Sequence, residues 1–213
     1  MVEPVKPKRA YRSTRRSAQA ADTRGAALSA AREIFMQEGW QKATIVAIAR
    51  QAGVSVETIY AGFGTKRALL EAVIASTVRG PRPDTPLMEQ AGPRAVLQEP
   101  DQRRQLALFA GDISGVLQRV APLVAVVRAA AETEPELGEL YSGLHRGRRR
   151  NFAMMVDALL RNGPLRVDRD TAISSIARLT SPEIYLLVTR VEGLSPAQYE
   201  VWLSDALVAL LLP

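Results

Sequence analysis

The side chains that most often do covalent or metal chemistry are nearly absent from this sequence. It has one histidine, His145, and no cysteine among its 213 residues. A hydrolytic triad would need that histidine beside a nucleophile and a carboxylate, but its neighbours in the chain are Arg146, Arg148, Arg149 and Arg150. No Gly-x-Ser-x-Gly elbow, phosphate loop or metal-ligand spacing occurs. We therefore expect no enzyme activity, no catalytic residue, no metal site and no cofactor.

The histidine belongs to a basic segment, His145 to Arg150, and two interpretations of this segment are open. The arginines could form a solvated helix face whose aliphatic stems cover apolar surface. They could also hold the anionic head of a small molecule, because a guanidinium pairs well with a carboxylate or phosphate. Runs of like charge usually face water, which favours the solvated face.

The positive charge of the chain is concentrated in its first part. The formal net charge is +6, and residues 1–80 hold 13 of the 28 Lys and Arg but only 6 of the 22 Asp and Glu. A basic N-terminal part predicts a nucleic-acid-binding site there. The N-terminus lacks the apolar core of a secretory signal, and the longest apolar run, Ala206 to Leu212, is too short to span a bilayer. We therefore expect a cytoplasmic protein with no membrane partner.

One stretch of this basic part has the pattern of a helix, a tight turn and a second helix. Apolar residues recur at helical spacing between Ile45 and Ala49, and Thr44 can cap the first helix. Gly53 can end that helix in the left-handed conformation, and Ser55 can cap the second helix. This is the arrangement of a helix-turn-helix, in which the second helix enters the major groove of DNA.

At these residues the chain resembles the tetracycline-repressor (TetR-type) family of transcriptional regulators. The resemblance covers roughly a quarter of the chain, and Thr23 to Gly39 is similar to the family's first helix. The positions that carry it are Gly39, Thr44, Ile48, Ala49, Ala52, Gly53, Val54, Ser55, Thr58, Ile59, Tyr60, Phe63 and Lys66. The resemblance implies an all-α fold with an N-terminal three-helix DNA-binding head and a C-terminal helical body that binds an effector and forms a homodimer.

Five segments are expected along the chain: a basic arm at 1–21, the head at 22–66, a connecting helix at 67–79, a proline-rich loop or connector at 80–98, and the body at 99–213. Pro4, Pro7 and crowded basic residues favour an extended arm, which could follow DNA phosphates or enter the minor groove, or could be only a solubilising tail. The first helix of the head is expected over Thr23 to Glu38. In the body, Pro122 is expected to start or kink a helix between Arg103 and Glu132.

The predicted DNA-reading helix, Val56 to Phe63, lacks the Arg, Lys, Asn and Gln side chains that pair with guanine or adenine edges. Phosphate contacts should therefore supply much of the affinity, and the resemblance implies that Tyr60 and Lys66 make two of them. Gly62 departs from the family, which often has His or Tyr there. The residues expected to contact a double-stranded DNA operator are Thr44, Ser55, Val56, Glu57, Thr58, Tyr60, Ala61, Gly62, Lys66, Arg9, Arg12, Arg15 and Arg16.

The resemblance further implies a small-molecule pocket and a dimer interface in the body. Candidate pocket residues are Phe109, Val120, Val124, Tyr141, Phe152, Met155 and Tyr185. Candidate interface residues, on the last two helices, are Val188, Trp202, Leu203, Leu207 and Leu210, with Tyr185 beside them. The expected function is that of a ligand-responsive repressor. The alternatives are an effector-independent structural DNA-binding protein, which a sealed body would favour, and an enzyme on a borrowed fold.

Overall fold

The computed structural model describes the backbone of residues 10–213 and the side chains of residues 18–213, and within these bounds the chain forms helices and no strand. The helices are α1 (Ala10–Lys42), α2 (Ile45–Ala52), α3 (Val56–Phe63), α4 (Lys66–Arg79), α5 (Ala91–Gln98), α6 (Gln102–Ala131), α7 (Pro135–Asn162), α8 (Arg169–Leu179), α9 (Pro182–Leu186) and α10 (Pro196–Leu211). A 3-10 turn, Leu87–Glu89, precedes α5, and a π-helical segment, Leu187–Val191, follows α9. The predicted all-α class is confirmed.

The chain divides into two compact units, Met1–Val73 and Ile74–Pro213, which we call the head and the body. In the head, α1 packs against α2 and α2 against α3, around the fully buried side chains of Phe35, Ile48 and Ile59. Burying side chains of this size stabilises a fold by about 1.5–3 kcal/mol each. The two short helices of the head, α2 and α3, therefore depend on burial in this core rather than on their own helix propensity.

In the body, α6 packs against both α7 and α10. The core lies between these helices and includes the fully buried Leu106, Leu117, Leu159 and Leu203. The long central helix thus contributes apolar side chains on more than one face. By length and composition α6 could also cross a membrane, and half of its most apolar window is buried inside the protein, as in the core helix of many soluble proteins.

Several predicted helix ends are confirmed by backbone geometry. Gly39 interrupts α1 with φ 72° and ψ −174°, and Gly53 ends α2 in the left-handed region with φ 66° and ψ 31°. The Ser55 hydroxyl accepts a hydrogen bond from the Thr58 N–H. At α10, the Ser195 and Gln198 side chains and backbones form the reciprocal bonds of a capping box.

The predicted arm was wrong over residues 10–21, because α1 already begins at Ala10 instead of Thr23. The two prolines that discourage helix, Pro4 and Pro7, precede this point, and the stretch 18–21 is Ala-Gln-Ala-Ala, which has high helix propensity. Repulsion between like charges three or four residues apart opposes a helix by only about 0.2–0.5 kcal/mol per pair.

The predicted loop over 80–98 was also wrong in its second half, where the chain forms α5. Pro93 had argued against a helix there, but it is the third residue of α5, and Gln90 is the N-cap. The first turn of a helix has N–H groups without intrahelical partners, so a proline in it forfeits no helical hydrogen bond.

Pro122 does not divide the helix that contains it, because α6 runs without interruption from Gln102 to Ala131. A proline inside a helix costs about 3 kcal/mol. Here the residues on both sides of it, Ala121 and Leu123, are fully buried, so packing on the core offsets that cost.

A buried amide connects three helices of the body. Gln105 of α6 is completely buried; its Nε2 donates to the Val96 carbonyl at 2.8 Å, and its Oε1 accepts from Asn162 Nδ2 at 2.9 Å. Both polar ends of the side chain are therefore satisfied, and the bonds join α6 to α5 and to the end of α7.

We predict that Gln105→Leu lowers the free energy of unfolding by about 2 kcal/mol, because it leaves a buried carbonyl and an amide donor without their partner. The measurement is urea unfolding followed by circular dichroism. Gln118→Leu is the matched control, since Gln118 lies exposed on the same helix. Equal losses in the two variants would contradict a role for the buried amide.

Candidate nucleic-acid interface

The side chains expected to read DNA lie on one exposed face of the head. On and just before α3, the exposed residues are Ser55, Glu57, Thr58, Tyr60, Ala61 and Gly62, and Val56 is half-buried. Tyr60 retains 50% of its surface, whereas Ile59 on the opposite side of the helix retains 1%. The helix thus has one face fixed in the core and another face free to meet a partner.

Both ends of α3 are held by side chains. Ser55 caps the start, with its hydroxyl oxygen 3.2 Å from the Thr58 nitrogen. At the other end Arg24 of α1 donates to the Gly62 carbonyl at 3.2 Å, and its guanidinium lies 4.4 Å from the centre of the Phe63 ring. The Ser55 cap was predictable from adjacent residues, whereas the Arg24 contact was not, because nothing local relates residues 38 positions apart.

The charge on α3 is negative. Hydrogen bonds from its own backbone N–H and from Ser55 lower the pKa of Glu57, which is therefore a carboxylate at neutral pH. It can accept a hydrogen bond from a cytosine amino group, and it repels phosphates. Since α3 has no basic residue, any charged phosphate contact must come from another part of the chain, and α3 can offer a phosphate only neutral donors such as the Tyr60 hydroxyl.

Lys66 is turned toward the head itself. Its ammonium group donates to the Trp40 carbonyl and lies 4.3 Å from the centre of the Trp40 indole ring, which in turn stacks on Phe35. Lys66 therefore helps hold the end of α1 against the start of α4. Its predicted phosphate contact, carried over from the resemblance, stays a prediction.

Two further helix starts in the head are capped by hydroxyl groups. Thr44 accepts from the Ala47 N–H at 3.1 Å, and Thr65 accepts from the Ala68 N–H at 3.0 Å. Thr44 is exposed, and beside it Val46, which the sequence analysis did not single out, is 66% exposed. The start of α2 therefore presents both polar and apolar groups to solvent.

The basic residues predicted to contact DNA near the N-terminus cannot be placed in this arrangement. Arg9 lies outside the described residues, as do the side chains of Arg12, Arg15 and Arg16, whose backbone belongs to α1. Their contact with DNA stays a prediction.

The body contains an apolar cavity of about 140 Å³. Five of the seven side chains predicted for a ligand pocket line it: Phe109, Val120, Val124, Phe152 and Met155. The two phenylalanine rings meet edge to face, with their centres 5.8 Å apart. Such an apolar space between helices is typical of a small-molecule site.

The other two predicted pocket residues lie elsewhere. Tyr185 is buried in the core, where its ring meets that of Tyr199 with a centre-to-centre distance of 4.9 Å. Tyr141 lies in a polar cluster, where its hydroxyl donates to Glu183 Oε1 at 2.7 Å. Burial and then this carboxylate raise the pKa of Tyr141 to about 12. Neither tyrosine lines the cavity, because helical spacing does not reveal which core space a side chain enters.

The basic segment from His145 to Arg150 is divided between solvent and the protein interior, and its binding of an anionic ligand stays a prediction. Arg146 and Arg150 are exposed, as expected of a solvated face. Arg148 is half-buried, and it donates to the Thr180 hydroxyl at 3.0 Å and to the Thr180 carbonyl. Burial, and next the charge of Arg148, lower the pKa of His145, so the imidazole is neutral at physiological pH.

Three of the predicted dimer-interface residues cannot meet a partner. Val188, Leu203 and Leu207 are buried within the subunit, as is Tyr185, so their apolar stripe faces the body's own core. Trp202 is half-buried and Leu210 is 39% exposed. The apolar residues that do reach solvent nearby are Leu187, Val191 and Val201, and Val191 is 76% exposed.

Residues 27–73 match the family model described as bacterial regulatory proteins, tetR family. This match covers α2, α3, the C-terminal part of α1 and the N-terminal part of α4. Over 60 residues the chain is 42% identical to the HTH-type transcriptional regulator SrpR of Pseudomonas putida, and the aligned segment spans 28% of each protein. The sequence likeness to this relative therefore concerns the head and little else.

Solved structures extend the likeness to nearly the whole fold. A Mesorhizobium loti protein assigned to the TetR family of transcriptional regulators superposes with a TM-score of 0.69 at 20% identity, over 91% of this chain and 98% of that one. The regulator FadR of Bacillus subtilis, solved in complex with stearoyl-CoA, gives a TM-score of 0.67 at 18% identity, over 86% and 97% of the two chains. At these identities the likeness concerns the fold of the body and not its ligand.

We predict that Ser55→Ala lowers the free energy of unfolding of the head by about 1 kcal/mol, because the first turn of α3 loses its cap. The measurement is urea unfolding followed by the fluorescence of Trp40, in a Trp202→Phe background that removes the other tryptophan. Ser29→Ala, at an exposed position inside α1, is the matched control and should change stability little. A loss no larger than in this control would contradict the cap's contribution.

Proposed function

Because the chain belongs to the tetR family of bacterial regulatory proteins, we propose that it is a transcriptional repressor that a small molecule releases from its DNA operator. The observation that carries this proposal is the exposed face of α3, where Glu57, Thr58 and Tyr60 reach solvent while Ile59 is fixed in the core. The sequence of the head that bears this face has a net positive charge. A regulator of this kind would act in the cytoplasm, where its DNA is.

The apolar cavity in the body favours an effector over the structural alternative, in which the body would only dimerise. Ile74 and Val78 in the cavity wall belong to α4, the helix whose first turn is fixed at Trp40 by Lys66. A ligand that binds more tightly to a body conformation incompatible with DNA shifts the population away from the operator complex. An enzyme has no comparable support among the described residues, since no cluster of metal-binding side chains occurs there.

The proposed repressor acts as a homodimer. Two-fold symmetry would place two copies of α3 in successive major grooves, roughly 34 Å apart. The exposed Leu187, Val191 and Val201, with Trp202 and Leu210, supply apolar surface at the C-terminal elements that a second copy could cover. Light scattering at micromolar concentration should give twice the chain mass of 23.2 kDa.

The experiment that tests this function is the selection of genomic DNA fragments by the purified protein, followed by binding measurements on the recovered sites. The expected result is a palindrome with half-sites one helical turn apart. Recovery of fragments with no common sequence, at low ionic strength as well as at physiological salt, would overturn the proposal.

We further predict that the N-terminal arginines contribute to phosphate binding. Replacing Arg9, Arg12, Arg15 and Arg16 together by Gln should weaken operator binding and reduce the slope of log K against log salt by about 0.9 for each phosphate that the variant no longer neutralises. Glutamine keeps helix propensity, so α1 should be preserved. The measurement is fluorescence anisotropy across a salt series.

The matched control for this arginine prediction is the pair Arg146→Gln and Arg150→Gln, which removes exposed charge from the body. This pair should leave the salt slope unchanged. If the N-terminal variant keeps the wild-type slope, the arginines are a solubilising feature and do not touch DNA.

A further inference from the structure

The wall of the cavity in the body is almost entirely apolar, and the few polar groups that reach it are distinctive. Three side chains supply them: Asp112 of α6, and Arg148 and Asn151 of α7. Two of the three are charged, with opposite sign. Which of the two charges is already neutralised by the protein decides what kind of ligand the cavity can accept.

The charge of Arg148 is largely satisfied by the body itself. Its Nη2 donates to the Thr180 carbonyl and to the Thr180 hydroxyl, and its Nη1 lies 3.4 Å from His145 Nδ1. Burial lowers the pKa of Arg148, and the nearby carboxylate of Glu183 opposes this shift. A ligand would have to compete with these partners to bind the guanidinium.

The carboxylate of Asp112 has no such partner. No hydrogen bond or ion pair reaches it from the described residues, and burial raises the pKa of Asp112. The charge of Arg119 partly offsets this rise in the pKa of Asp112, but the hydrogen bonds of that guanidinium go to the carbonyls of Thr77 and Val78. A half-buried carboxylate beside an apolar space, without a donor, is a group that a ligand can stabilise.

The backbone around Asp112 leaves room for this carboxylate. The Asp112 Oδ1 lies 2.0 Å from the point where a Cβ on Gly92 would be, so any other residue at this place in α5 would require the carboxylate to move. The first turn of α5 therefore packs directly against the carboxylate, yet none of its N–H groups is hydrogen-bonded to it. The glycine thus maintains the position of the carboxylate without neutralising its charge.

The outer side of Asp112 is acidic as well. The residue also lines a shallow surface groove that contains Glu99, Glu200 and a single arginine, Arg104. Arg104 is 3.6 Å from Glu99, which leaves Glu200 and Asp112 as excess negative charge. Such a groove raises the local concentration of cations next to the cavity.

We propose that the effector is a small lipophilic ammonium compound, with its charged nitrogen on Asp112 and its apolar body against the cavity wall that includes Phe109 and Phe152. This inference names the ligand class of the cavity and rests on the proposed effector function. The cavity is close in volume to an engineered protein cavity of roughly 150 Å³ that binds benzene, so a compound with one ring fits it.

The test compares three probes that share a 2-phenylethyl group and differ in the charge of its substituent: 2-phenylethylamine, 2-phenylethanol and 3-phenylpropionate. Calorimetric titration of the full chain without DNA should show the amine binding tightest and the carboxylate weakest. Asp112→Asn should weaken amine binding at least about tenfold and leave the alcohol nearly unchanged, because only the amine makes a charge-assisted bond. Asp205→Asn is the matched control, an exposed acid of α10 that does not line the cavity.

A third variant locates the bound probe. Val124→Phe fills part of the cavity and should abolish binding of the amine and the alcohol together. The inference is overturned if the carboxylate binds tighter than the amine, if Asp112→Asn and Asp205→Asn act alike, or if Val124→Phe leaves amine binding unchanged. Failure of all three probes to bind at millimolar concentration would overturn it too.

The effect of the amine on operator binding is measured separately. An amine that binds through Asp112 but leaves the operator complex intact would contradict release by this ligand, while the assignment of the cavity would stand. If the operator complex forms but responds neither to Asp112→Asn nor to any of the three probes, the proposed DNA binding stands and the inferred effector class fails.

Discussion

The burial of Ile59 against the core of the head is the contact on which the function of this protein depends. An eight-residue helix such as α3 is unstable alone in water, because nucleating it fixes several residues for few hydrogen bonds. Its position must therefore come from tertiary contacts, and Ile59, Ile48 and Phe35 supply them. The polar contacts at its two ends, from Ser55 and Arg24, then set where the helix starts and stops. With one side so constrained, the exposed side chains of α3, among them Glu57, Thr58 and Tyr60, are available for recognition.

The body follows a different physical logic, because its central space is incompletely filled. Protein interiors normally pack as densely as organic crystals, so a vacant apolar volume between α6 and α7 lacks the dispersion contacts that a closed core would have. The apolar side chains around this volume lack part of their packing contacts, and the carboxylate of Asp112 lacks a hydrogen-bond donor. A ligand that completes them gains binding energy from each, and this is why the two features together restrict the chemistry of the occupant.

The sequence predicted features whose cause is local and missed those whose cause is distant. The caps at Ser55 and Ser195 and the breaks at Gly39 and Gly53 depend on a few adjacent residues, and each was predictable. The partners of Lys66, Arg24 and Gln105 lie far along the chain, so no pattern indicated them. Periodicity identified the apolar stripe on α10 but could not tell whether it meets the subunit's own core or a second copy. Leu203 and Leu207 were for this reason assigned to a dimer surface, although both are buried. The two prolines Pro93 and Pro122 misled in a related way, because their effect depends on their position in a helix and on what packs around it.

Gly39, which interrupts α1, and Gly53, which ends α2, differ in which substitutions each position tolerates. Neither has any atom within 4 Å of where a side chain would begin, so the restriction at both is conformational and not one of space. Gly53 lies in the left-handed helical region, which asparagine also tolerates, whereas Gly39, with φ 72° and ψ −174°, lies in a region open essentially to glycine alone. Descendants of this gene could therefore exchange Gly53 for asparagine without losing the turn, while position 39 would be held to one residue by purifying selection.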